Sequence, residues 1–117
     1  MLNKKRIEQV YLALGPTDLR KSIDGLSILV QEQFKLDPFS RSLFAFCNRK
    51  KDKIKILEWD HDGFWLYYKR LEKGCFNWPD DKIEVMEISE RELRWLLDGL
   101  SLQQPGAHPE VKERTII

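Results

Sequence analysis

Trp59-Asp60-His61-Asp62-Gly63-Phe64-Trp65 places two carboxylates and an imidazole in one short turn, flanked by large aromatic rings. Carboxylates beside a histidine are the raw material of general acid–base work. Adjacent residues of a tight turn point in different directions, however, and an exposed turn has no walls to exclude water or tune a proton affinity. Asp is also an ordinary turn residue. The turn is therefore read as a connection, and no catalytic residue is assigned.

The flanks carry a different chemistry. Ile54-Lys55-Ile56-Leu57-Glu58-Trp59 and Phe64-Trp65-Leu66-Tyr67-Tyr68-Lys69 are rich in β-branched and aromatic residues, the composition of paired strands. A three-residue loop closed by Gly63 with positive φ would pair Asp60 with Phe64, Glu58 with Leu66, Ile56 with Tyr68 and Ile54 with Arg70. That register predicts one largely apolar core face. It puts Lys53, Lys55, Leu57, Trp59, Trp65, Tyr67 and Lys69 on the other face, aromatics interleaved with cations and Lys55 opposite Lys69. Cations gain affinity for phosphates by releasing counterions, and aromatic faces stack on bases. This face, extended by Arg49, Lys50, Lys51 and Arg70, is the candidate nucleic-acid surface. A competing reading buries Trp59, Trp65 and Tyr67 under a helix, with the lysine ammoniums at its rim. Thr17, Arg20 and Lys21 form a second candidate, a phosphate site at a helix start, set against the plainer reading of a helix end already served by Asp18.

The elements that must position these residues follow from periodicity. Gln9–Leu14 reads as a strand stopped by Gly15-Pro16, and Thr17 as the N-cap of a helix with the apolar stripe Leu19, Ile23, Leu26, Val30 and Phe34. Gly25 interrupts that helix, implying close packing on a sheet or a bend. Leu43–Cys47 is a nearly continuous apolar run, the mark of a strand covered on both faces. Glu84–Ile88 reads as a last strand, followed by a capping box at Ser89-Glu90-Arg91-Glu92 and a stripe of Leu93, Leu96, Leu97 and Leu100. The prediction is one α+β domain over 1–102, an antiparallel sheet of four or five strands with two amphipathic helices packed on it. Residues 103–117 are expected to be a mobile tail.

Composition sets the outer limits. A chain of 117 residues, 42% hydrophobic and 33% charged, is long enough to build one real core. No apolar run approaches the roughly 20 residues that cross a bilayer, and the start lacks a secretory pattern, so the cytoplasm is expected. Cys47, Cys75, His61 and His108 match no compact zinc spacing, and no metal or other cofactor is expected. No nucleotide-binding glycine loop or nucleophile elbow is present. The net charge of +1 conceals an asymmetry. Residues 41–73 carry nine Lys and Arg against five Asp and Glu, whereas residues 80–98 carry three against seven.

Gly15-Pro16-Thr17-Asp18-Leu19-Arg20-Lys21, Asp24-Gly25-Leu26, Asp37-Pro38-Phe39-Ser40, Leu43-Phe44-Ala45-Phe46, Lys53–Leu57, Trp59-Asp60, Gly63-Phe64, Lys69-Arg70-Leu71-Glu72 and Phe76-Asn77-Trp78-Pro79 occur in that order. The series resembles the TnpB accessory proteins, products of the second reading frame of insertion sequence 66 transposable elements. The likeness runs from about Val10 to Pro79, more loosely through Leu93–Leu100. It implies an accessory role in transposition beside a separate, larger transposase that carries the catalysis, and it brings no catalytic or ligand residues with it. The expected function is a non-enzymatic accessory protein that contacts DNA through the hairpin; the alternative is a module that docks the transposase without touching DNA. The expected partners are that transposase and DNA, with the hairpin edge also suited to a homodimer and no membrane involved.

Overall fold

Ser42–Cys47 (β2) is buried along its whole length, so its side chains need cover on both sides. The computed structural model, which describes residues 7–80 and 84–102, supplies that cover with one helix on each face. The other elements are β1 (Gln9–Ala13), α1 (Ile23–Glu32), β3 (Lys53–Asp60), β4 (Gly63–Arg70), β5 (Val85–Ile88) and α2 (Glu90–Leu97). The strands form one sheet in the order β4-β3-β2-β1-β5. The α+β class and the five strands agree with the sequence reading. The sheet is mixed, however, because β1 and β2 run parallel while the other pairs are antiparallel. A helix between two adjacent strands carries the chain back to the starting end, and α1 does so here.

Alternation along the strands builds two cores. Toward α1 point Tyr11, Phe44, Phe46 and Leu57, which meet Leu26, Val30 and Phe34. Toward α2 point Val10, Leu12, Ala45, Ile54 and Ile56, which meet Leu93 and Leu96. The stretch after β4 folds Phe76 and Trp78 into this second core, and the indole Nε1 of Trp78 donates to the Ala13 carbonyl at 2.9 Å. The capping box is present as expected: Ser89 Oγ accepts from the Glu92 amide, and Glu92 accepts from the Ser89 amide. The α2 stripe is shorter than the spacing implied, for the helix ends at Leu97 and Leu100 is exposed.

Two local expectations fail. Thr17 is not a helix cap: α1 begins after Ser22, and the Thr17 amide donates to the Cys47 carbonyl at 2.8 Å. The clearance at Gly25 is needed against Lys21 and not against the sheet, because a Cβ there would lie 3.1 Å from the Lys21 Cβ. The expected tail, 103–117, lies outside the described residues.

Leu26 and Leu96 are fully buried in different cores. Each change to Ala should cost about 2–5 kcal/mol of unfolding free energy. Urea titrations of the single and double variants should give costs additive within about 0.5 kcal/mol, because the sheet separates the two sites.

Candidate nucleic-acid interface

The hairpin register differs from the expected one by a residue. Asp60 pairs with Gly63, Glu58 with Trp65, Leu57 with Leu66, Ile56 with Tyr67, Lys55 with Tyr68, Ile54 with Lys69 and Lys53 with Arg70. The connection is the two-residue turn His61-Asp62, in which His61 and not Gly63 takes the left-handed conformation, with φ +54. The Asp62 amide donates back to the Asp60 carbonyl. The slip divides the predicted surface. Lys53, Lys55 and Trp59 lie on the α1 side with Leu66, Tyr68 and Arg70, whereas Trp65, Tyr67 and Lys69 lie on the α2 side.

The α2-side residues are engaged there. The Tyr67 hydroxyl donates to Glu58 Oε1 at 2.6 Å, and Trp65 Nε1 donates to Asp60 Oδ2 at 2.9 Å. Lys69 Nζ donates to the Leu97 carbonyl at 2.9 Å, where a cation suits the end of a helix. Lys69 therefore does not face Lys55. The competing reading of buried aromatics holds only in part: Tyr67 is partly buried against the α2-side core, and Trp59 packs edge-on against Phe39 and Phe64, but Trp65 is exposed.

On the α1 side the chain builds a basic groove. Its first wall is the loop between β2 and β3. There Asn48 Oδ1 accepts from the amides of Asp52 and Lys53, Asn48 Nδ2 donates to Asp52 Oδ1 at 2.7 Å, and Lys51 adopts φ +60. The Asn48 amide holds the Asp52 carboxyl below its ordinary value against the opposing effect of burial; Lys53 and Lys50 add to the lowering. The side chains of Arg49 and Lys50 are left exposed to solvent on this loop.

The second wall is Pro16–Arg20. Arg20 pairs with Asp18 at 2.8 Å, and its side chain and amide hold the Asp18 carboxyl far below the usual range. Lys55 Nζ ties this wall to the sheet, donating to the carbonyls of Leu19 at 2.7 Å and Lys21 at 3.0 Å. The amides that a phosphate site at Thr17 would need are already used, by Cys47 for Thr17 and by Asp18 for Arg20 and Lys21. Thr17 and Arg20 nevertheless line the groove.

Between the walls lies an open groove with a volume of about 910 Å³, floored by Lys53, Lys55, Leu66 and Tyr68. Five cations, Arg20, Arg49, Lys50, Lys53 and Lys55, meet one carboxylate, Asp18. Of the sequence candidates, Lys51 instead lines a smaller cavity beside Trp78, and Arg70 pairs with Glu72 at 2.8 Å. Pro16, Asp18, Leu19, Asn48, Leu66 and Tyr68 line the groove without having been singled out as site residues in the sequence. A two-residue turn would have placed Tyr68 beside Lys55 and exposed that signal.

Among the described residues no three His, Cys, Asp or Glu side chains gather to hold a metal. No helix among them is long and apolar enough to cross a membrane. Burial pushes the Cys47 thiol up to about 12, while Cys75 is exposed. A thiol reagent at neutral pH should therefore modify Cys75 quickly and Cys47 only on unfolding. The raised value has a consequence for stability. Its contribution is complete below the ordinary thiol value of 9.0 and is lost as pH rises toward about 12. Cys47→Ala should flatten that part of the alkaline unfolding profile, followed by denaturant titration at stepped pH.

Comparison with known proteins finds relatives along nearly the whole chain. The family model described as IS66 Orf2 like protein matches residues 8–107, reaching past the stretch expected to carry the likeness. The chain is 35% identical over 105 residues to "Uncharacterized protein y4hO" of Sinorhizobium fredii (strain NBRC 101917 / NGR234), covering 90% of this chain and 91% of that one. It is 31% identical over 100 residues to "Uncharacterized protein y4jC" of the same organism, covering 86% of each chain. No solved structure matches.

Proposed function

This chain belongs to the IS66 Orf2-like family, and on that ground we propose that it is a non-enzymatic accessory protein of transposition that holds DNA in its basic groove. The observation that carries the reading is that five cations and a single carboxylate line one concave surface. Asp18 offsets only part of that charge, because it is already paired with Arg20. Arg49, Lys50 and Lys53 neutralise phosphates of a polyanion entering the groove and release the cations condensed on it, so binding is driven by salt release. The transposase of the same element is the proposed protein partner.

The residues that test this reading are not those singled out by the expected hairpin. Lys55 anchors the Pro16–Arg20 wall and Lys69 anchors α2, so reversing either charge disturbs structure first. An Arg49→Glu/Lys50→Glu variant acts on exposed side chains of the loop tip. Anisotropy titrations with a labelled element-end DNA over a salt series should show affinity falling steeply. In the variant, the slope of log K against log salt should decrease by about 0.7–0.9 for each phosphate no longer neutralised. Unchanged affinity and slope would remove the groove from consideration and leave the alternative, a module that docks the transposase without DNA.

A further inference from the structure

We infer that the groove takes an unpaired strand, with one base stacked on Tyr68; this rests on the nucleic-acid reading of the same groove. Tyr68 is 53% exposed although it lies on the floor of a basic groove, next to Leu66. An exposed aromatic ring of this size is a stacking surface, and here it has a cationic neighbour. It is directly opposite Lys55 in the sheet, with the Lys55 ammonium 5.8 Å from the ring centroid. That ammonium is itself held by two carbonyls of the neighbouring wall. The anchored ammonium gives the ring a fixed cationic neighbour beside its exposed surface.

What surrounds the ring decides between a duplex and a strand. In a duplex the base faces are hidden in the stack, and only backbone and groove edges are offered to a side chain. An unpaired strand presents both features the groove can use: phosphates for Arg49, Lys50 and Lys53, and a base face for Tyr68. Lys53 lies two residues before Lys55 on the same face of β3, so cation and ring are neighbours along the groove. Leu66, also two residues from Tyr68 on that face, supplies apolar surface beside it.

The test compares a labelled oligothymidylate of about twelve nucleotides with a mixed-sequence duplex of the same length, by anisotropy at low salt. The native protein should prefer the strand. Tyr68→Ala should weaken strand binding about 5- to 150-fold with little change for the duplex, and Tyr68→Phe should retain it. In parallel, irradiating the native protein with a bromodeoxyuridine-substituted strand should place the adduct on the peptide containing Tyr68. Equal affinity for the two probes, an equal loss on both, or an adduct elsewhere would overturn the inference. Loss of binding by Arg49→Glu/Lys50→Glu with Tyr68→Ala silent would overturn it while sparing the groove. If both variants bind the strand as the native protein does, the groove reading falls with it.

Discussion

Every residue of β2 is buried, and that strand forces the rest of the architecture. A strand with apolar side chains on both faces is stable only between two covering layers. The helices α1 and α2 provide them from opposite sides, and β1 and β3 flank β2 within the sheet. The parallel pairing of β1 with β2 follows from the same demand, because α1 lies on one face and connects their opposite ends. The edges of the sheet are then β4 and β5.

Neither helix covers all of the sheet. Of β3, Leu57 packs with the α1-side core, whereas Lys53 and Lys55 remain beyond it as part of the groove floor. Lys55 turns this margin into a shaped surface. One ammonium is shared by two carbonyls of the segment before α1 and stands near the Tyr68 ring, joining wall, floor and aromatic platform. Lys69 does the equivalent on the opposite face by donating to the end of α2. Cations at similar positions in the sequence are thereby committed to the fold, and Arg49, Lys50 and Lys53 remain as the more available charge.

Charge and concavity are thus assembled from three separated segments: Pro16–Arg20, Asn48–Lys50 and the β3–β4 hairpin. The Asn48 side chain sets the shape of the middle segment through its bonds to Asp52 and Lys53. Asp18 draws Arg20 along the first wall and tempers the charge of the groove without cancelling it.

The elements were legible in the amino-acid order because their signals are local: the apolar run of β2, the stripe of α1, the Ser89–Glu92 capping box and the aromatic strands of the hairpin. The basic region and the motifs of the family were legible in the same way. The register of β3 against β4 was not, and it was settled by packing. Alternation fixes register when one sheet face is wet, but here both sets of alternate residues, Ile54 and Ile56 on one side and Leu57 on the other, are buried. Gly63 then looked like the natural left-handed turn residue, whereas opposing Leu57 to Leu66 beneath α1 put His61 there. That one-residue choice separated Lys69, Trp65 and Tyr67 from Lys55 and brought Tyr68 into the groove. Which cations stayed available was likewise decided in three dimensions, since the carbonyls that engage Lys55 and Lys69 belong to segments distant in the chain.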